Sequence, residues 1–276
     1  MISEALSYLF HSISCPKYIC KLGLLSQLIG IEARHKRCSQ AWQEHLDKTK
    51  QALIEFSNDG GSRLIVFGAG LLNDIPLKEL SESFEEVVLV DIFFLQSSIN
   101  EIKKYKNVSF EELDLTGVLE LAYRAYELFK KDKDITKLDD RLKNLASAKP
   151  NLVLGDFSHL ASVNLLSQLP ISIKEFFEKN DIEAGENFYQ SLVKNHIEYL
   201  KELAREGKQV LLISDTEKEV LDLNGRLKLA ESSLEGYELE EFGLENYSSW
   251  DWILAPEGEL DKRYRLKLKV ELVKAQ

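Results

Sequence analysis

The sequence predicts an α/β fold in which a mostly parallel sheet is crossed by helices, preceded by a helical extension and closed by an antiparallel hairpin. Three observations carry this. The apolar run Leu64 to Phe67 breaks into Gly68-Ala69-Gly70, and about twenty residues later Val87 to Val90 repeats the run and ends in Asp91, the spacing of a βαβ unit. From Arg63 onward, short apolar runs alternate with stretches of helical period, the pattern of parallel strands and crossover helices. Near the end, Arg265-Leu266-Lys267-Leu268-Lys269-Val270 alternates strictly, as a half-buried strand does.

Residues 1 to 58 read as helices without strands, with Leu22, Leu24, Leu25, Leu28 and Ile29 followed by Trp42, Leu46, Leu53, Ile54 and Phe56 at helical spacing. Asn58-Asp59-Gly60-Gly61-Ser62 is a stop and turn signal, so the chain divides into a helical extension or cap at 1–58 and a main domain at 59–276. Within the main domain, strands are expected at Leu64 to Phe67, Val87 to Val90, Val108 to Leu113, His159 to Asn164 and Gln209 to Ser214. Asn151 to Leu154 reads as an edge or connecting segment.

A helix is expected through Val118 to Phe129, a surface helix or insertion over Lys130 to Lys149, and a long amphipathic helix over Glu186 to Arg205. Glu231 to Glu245 reads as an acidic surface loop or short helix. Trp250 to Leu254 and Tyr264 to Val273 then form two strands joined at Pro256-Glu257-Gly258-Glu259.

The chain has 276 residues, 44% hydrophobic, enough for a substantial core, and a formal net charge of -11. That charge disfavours a broad nucleic-acid-binding face. Basic residues gather at both ends, Arg34, Lys36, Arg37, Lys48 and Lys50 in one group and Lys262, Arg263, Arg265, Lys267 and Lys269 in the other, and read as solvated charged faces. The three cysteines, Cys15, Cys20 and Cys38, show neither framework nor metal-site spacing, which fits a reducing cytoplasm. No signal peptide or membrane span is expected.

Gly68 and Gly70 let the chain turn at a strand end and let a ligand approach the backbone. A helix is expected to begin near Asn73 to Ile75, with Asn73 or Asp74 as its N-cap and Pro76 in its first turn. Dinucleotide sites favour a third glycine where Asn73 stands. Asn73 and the added charge of Asp74 turn the loop away from pyrophosphate and toward a ligand with a cationic or zwitterionic end. Asp91 is placed to accept from ribose hydroxyls and Asp114 from an exocyclic adenine amine, although either carboxylate could instead cap the helix that follows it. Ser162 and Asn164 end the fourth strand at the sheet edge where open α/β sheets bind ligands, with Gln168 one helical turn on. His159 and His196 are candidate bases by residue type, with structural roles preferred for both. Serine-hydrolase, P-loop and zincin motifs are absent.

Phe67-Gly68-Ala69-Gly70, Leu89-Val90-Asp91, Leu113-Asp114-Leu115, Ser162-Val163-Asn164-Leu165-Leu166 and the terminal hairpin together resemble the class I S-adenosylmethionine-dependent methyltransferase superfamily. The resemblance spans about residues 60 to 276. It implies a Rossmann-like seven-stranded sheet, S-adenosyl-L-methionine as cofactor, and methyl transfer to a small-molecule or protein acceptor. The cofactor site it implies comprises Gly68, Ala69, Gly70, Asp91, Ile92, Asp114, Leu115, Ser162 and Asn164, with Asn164 also the candidate catalytic, positioning group. Where the family usually has an acid two positions before the first glycine, this chain has Val66. That departure motivates one alternative, a catalytically silent interaction protein, and the shared glycines and Asp91 motivate another, an NAD-dependent oxidoreductase.

Overall fold

A computed structural model of the chain describes residues 2–147, 152–244 and 246–275. Its sheet grows from the apolar runs, because strands covered on both faces must be apolar throughout. β1 (Gly61–Phe67), β2 (Phe84–Asp91), β3 (Val108–Glu112), β4 (His159–Val163) and β5 (Gln209–Asp222) pair in parallel in the spatial order β3-β2-β1-β4-β5. A β6 strand (Leu227–Ser232) pairs antiparallel with the outer half of β5, and β7 (Asn246–Ala255) and β8 (Tyr264–Ala275) form the terminal hairpin, β8 lying antiparallel to β5. The fold is therefore Rossmann-like and mostly parallel, with the expected seven strands on one path and β6 added beside it.

Alternation along each strand sorts the core into two layers. Ile65, Phe67, Val88 and Val90 face one side, where they pack with α6 (Leu119–Asp132), α7 (Ile135–Ala146) and α9 (Glu186–Arg205). Leu64, Val66, Val87 and Leu89 face the other, packing with α4 (Leu77–Ser83), Leu53 of α3, and Trp250 and Val270 of the hairpin. The short α5 (Gln96–Ile102) follows β2, and α8 (Ile171–Lys179) follows β4.

Residues 2–56 carry α1 (Ile2–Ser12), α2 (Lys17–Lys21) and the 33-residue α3 (Leu24–Phe56), whose helical backbone breaks at Cys38 (φ -108°, ψ 17°). The break lets the two halves of α3 follow different surfaces. Leu25 and Ile29 pack with Cys15, Ile19, Phe93 and Leu95, whereas Trp42 and Leu46 pack against Trp252 and Leu254 of β7. Trp42 Nε1 donates to the Leu254 carbonyl at 2.9 Å, pinning the second half to the hairpin. The N-terminal helices thus roof the edge of the sheet at which β1, β2 and β4 end.

Three expectations shift. The helix after the glycine loop starts at Leu77 rather than near Asn73 to Ile75, since residues 68–76 run as consecutive turns. β5 runs on to Asp222 instead of stopping at Ser214. Part of the stretch read as acidic surface, residues 231–232, belongs to β6, and Leu239–Phe242 is a short 3-10 turn. The surface helix expected within Lys130 to Lys149 is α7, held by Leu138 and Leu142, while 148–150 lie outside the described residues, as does Asn151 of the 151–154 segment. Among the described residues no helix is long and apolar enough to cross a membrane.

The clustered basic side chains are largely taken up by acids. Arg37 pairs with Glu259 and Glu4, Lys36 with Glu32, Lys48 with Glu44, Lys267 with Glu219 and Asp251, and Lys269 with Glu271.

Candidate functional site

A cavity of about 260 Å3 opens at the carboxyl ends of β1, β2 and β4 and beneath α3. Its floor is the glycine loop. Gly68 has φ +80°, and a Cβ there would lie 2.2 Å from the Val163 carbonyl oxygen, so only glycine lets β1 turn off beside β4. A Cβ on Gly70 would come within 2.9 Å of Asp91 Oδ2, which keeps that approach open for the carboxylate.

Asp91 ends β2 and binds the loop directly. Gly70 N–H donates to its Oδ2 at 2.8 Å and its own neighbour Ile92 N–H to Oδ1 at 2.7 Å. The Gly70 carbonyl accepts from Ser98 Oγ at 2.7 Å, so Gly70 is held from both sides. Burial raises the Asp91 carboxyl from its ordinary 3.8 to about 6, against the pull of the two backbone N–H groups.

Asp114 follows β3 and also lines the cavity. Its Oδ1 accepts from Thr116 N and Oγ1 at 2.9 and 2.6 Å, and its Oδ2 from Leu119 N at 2.8 Å, which makes it a cap for the start of α6. Burial pushes this carboxyl up as well, with the Thr116 hydroxyl opposing.

Asp74 sits in the turns after the loop and is no helix cap. It accepts from Asn164 Nδ2 at 2.7 Å, and burial raises its carboxyl. Asn164 leaves β4 with φ +48°, a left-handed conformation that asparagine tolerates better than most residues. Its amide N–H is fixed by the Ile213 carbonyl at 2.8 Å, while its Oδ1 is buried without a partner.

The amide of Asn164 also lies 3.2 Å from Nε2 of His45, a buried residue of α3. His45 stacks on Trp252 (centroids 4.0 Å apart, planes 4° apart), and Trp250 Nε1 donates to its Nδ1 at 3.0 Å. An indole N–H can only donate, so Nδ1 accepts and the proton of the neutral ring is on Nε2. Burial holds the ring neutral, lowering its value to about 3. Nε2–H therefore faces Asn164, and an amide turned with its oxygen toward His45 satisfies it. That orientation brings the same oxygen to Asp74 and requires a proton on the Asp74 carboxyl.

Of the residues expected at the site, Gly68, Gly70, Asp91, Ile92, Asp114, Leu115 and Asn164 line the cavity. Ala69 is buried in the core beneath it. Ser162 is buried too, its Oγ 2.9 Å from His196 Nε2, so that pair fastens β4 to α9. His159 begins β4, touching Ser158 and the rings of Phe56 and Phe84. Gln168 lines the cavity and donates to Ser167 Oγ. Val66 points into the core on the α4 side. Nothing in the sequence marks His45, Trp42 and Trp252 as site residues, because local periodicity gives each an ordinary place on a helix or strand. Among the described residues, no three His, Cys, Asp or Glu side chains converge to hold a metal ion.

The strand order is that of a Rossmann-like parallel sheet closed by an antiparallel hairpin. No family model matches the chain, and no curated protein matches it. Among solved structures it is similar to the N-methyltransferase NodS from Bradyrhizobium japonicum WM9, at 10% identity over 86% of this chain and 97% of that one, with a TM-score of 0.42. It is similar also to magnesium protoporphyrin IX methyltransferase from Synechocystis PCC 6803, solved with bound S-adenosylmethionine, at 12% identity over 86% and 83% of the two chains and a TM-score of 0.42. A third is 1,6-didemethyltoxoflavin-N1-methyltransferase from Burkholderia thailandensis, solved with S-adenosylhomocysteine, at 12% identity over 87% and 86%, TM-score 0.38. Likenesses at these values carry no argument about ligand or reaction, which has to come from the cavity.

Proposed function

We propose that this chain is an S-adenosyl-L-methionine-dependent methyltransferase acting on a small-molecule or protein acceptor. The observation that carries the reading is the course of the chain just past the glycine loop. A pyrophosphate needs a helix N-terminus aimed at it. Here α4 starts only at Leu77, and the carboxyl group of Asp74 stands in the cavity instead. With no helix N-terminus facing the loop, a pyrophosphate lacks the donors it favours, which argues against a dinucleotide and for an adenosyl amino acid, whose ammonium group Asp74 would receive on giving up its proton. The silent alternative would call for a pocket filled by side chains, and a cavity of about 260 Å3 is present.

The donor set fits such a ligand residue by residue. Gly68, Ala69 and Gly70 form the loop for the methionine part, Gly70 being bare of a Cβ so that Asp91 can close on its N–H. Asp91 takes one backbone N–H on each oxygen and so keeps a lone pair on each for the two ribose hydroxyls. Ile92 offers an apolar wall beside it. Asp114 takes the Leu119 N–H on Oδ2 and lines the cavity beside Leu115, where the adenine amine would donate to it. Asp74 compensates for Val66 by delivering a carboxylate from behind the loop rather than ahead of it. Ser162 acts at one remove, holding the end of β4 through His196.

Bound there, the cofactor supplies a methyl group on a sulfonium. The protein's part is to line up the acceptor atom with the methyl–sulfur axis and to keep water out, so positioning suffices without a strong base. Asn164, with an unpartnered amide atom beside the cavity, is the positioning group for the acceptor.

Calorimetry with S-adenosylmethionine tests the reading. Saturable heat is expected from the wild type and none from Asp91→Ala; an absence of heat with the wild type, or equal binding by the variant, sinks it.

A further inference from the structure

The cavity is electrically lopsided. Its carboxylates, Asp74, Asp91 and Asp114, all belong to the loop end. The end under the roof is walled by Ile31 and Trp42 of α3, Trp252 and Leu254 of β7 and Leu268 of β8, with one charged side chain, Arg34. Trp42 meets Trp252 edge to face, with centroids 5.1 Å apart and planes at 82°, an arrangement that favours an aromatic neighbour.

Two buried donors at this end lack an acceptor, Arg34 Nε and Trp252 Nε1. Glu259 forms an ion pair with Arg34, its Oε1 3.6 Å from Nε, but at that distance it does not accept a hydrogen bond. The hydrogen bonds of Glu259 go to Arg37, at 2.6 Å from Nη2 and 3.3 Å from Nε. An orphaned buried donor is costly, and both of these side chains line the chamber.

We propose that the roof end binds the methyl acceptor and that the acceptor is a compact aromatic acid, its ring against Trp42 and Trp252 and its anionic group toward Arg34. The acids of the loop end turn such a molecule so that its charge points away from them, which leaves its opposite edge facing the sulfonium and Asn164. Calling the occupant the acceptor rests on the methyltransferase reading; the site itself does not, and it can be tested without a methyl donor.

The test uses the full chain with naphthalene-2-carboxylate and its neutral counterpart naphthalene-2-carboxamide, their binding followed by quenching of tryptophan emission. The carboxylate is expected to bind wild-type protein about tenfold more tightly than the amide, since a charged hydrogen bond is worth about that factor. Arg34→Met should bring the two ligands level by weakening only the carboxylate, Arg34→Lys should keep part of the preference, and Trp42→Ala should weaken both. Melting curves identify any variant that fails to fold, and the lysine variant then carries the comparison. Equal binding of the two ligands by wild type, or a preference that survives Arg34→Met, overturns the proposal. So does exclusion of the carboxylate by S-adenosylhomocysteine, which would place it at the loop end. A preference that is intact while S-adenosylhomocysteine gives no calorimetric heat removes the methyltransferase reading and leaves the site standing.

Discussion

Replacing Asp91 by asparagine isolates the cost of keeping a charged group under the glycine loop. Its carboxyl rises from 3.8 to about 6 in the folded chain because burial outweighs the two backbone N–H groups it accepts from. For an acid whose folded value is raised, both states are protonated below the unfolded value and nothing is lost. Above the folded value both are ionised and the full difference, about 3 kcal/mol, is subtracted from stability. The asparagine variant carries no such component. It does carry a constant one, since its amide nitrogen must face an N–H, which costs about 1–3 kcal/mol.

The difference in unfolding free energy, wild type minus Asp91→Asn, should therefore fall by about 3 kcal/mol as pH rises from about 4 to above 6. Urea titrations followed by tryptophan fluorescence read it directly. A difference that stays flat with pH, or one that grows with pH, would refute the account of Asp91. The same group links stability to ligand binding. A ribose donating two hydroxyls to Asp91 favours the anion, so calorimetry near the raised value, repeated in buffers of different ionisation enthalpy, should show proton release on binding.

Gly68→Ala combines φ +80° with a Cβ 2.2 Å from the Val163 oxygen, and it should cost at least about 3 kcal/mol and abolish cofactor binding; a melting temperature like wild type would contradict this. His45 and His196 are held neutral by burial, at about 3 and about 4 against an ordinary 6.5. Because a depressed histidine loses stability as pH falls through its unfolded value, each should cost about 2 kcal/mol between pH 6.5 and roughly 5, a loss that His45→Gln or His196→Gln removes in the same urea titrations. If Asp74 carries the proton that the Trp250–His45–Asn164 chain demands, Asp74→Asn should leave the stability of the ligand-free protein within about 0.5 kcal/mol while weakening S-adenosylmethionine binding. A loss of more than about 2 kcal/mol would show that an ionised Asp74 is what holds Asn164.

What the sequence made legible was what short-range periodicity can encode. The apolar runs of β1 and β2 and the stripe of α9, read at Glu186 to Arg205, are patterns within a few turns or strand residues of themselves. β6 could not be found that way, since all six of its residues are exposed and burial leaves no alternation to read. The continuation of β5 beyond Ser214 was obscured for a related reason. Glu217 to Val220 are only half-buried, and they are strand because β6 and β8 lie on either side to receive their hydrogen bonds.

The site divides along the same line. Gly68, Gly70, Asp91 and Asn164 declare themselves at strand ends, where sequence position and function coincide. Asp114 shows the limit of that rule, because a carboxylate after a strand also caps the next helix and here its oxygens are mostly spent on doing so. The roof obeys no local rule at all. His45 meets Trp250 across 205 residues of chain, and Trp42 meets Leu254 across 212. What joins them is the break in α3 at Cys38, which turns the second half of the helix onto the hairpin. The loop end of the cavity can therefore be inferred from strand grammar shared by many α/β proteins, whereas the roof end, where an acceptor would be chosen, is particular to how this chain folds its N-terminal helices over its C-terminal strands. Specificity is thus to be sought in α3 and β7, not in the glycine loop.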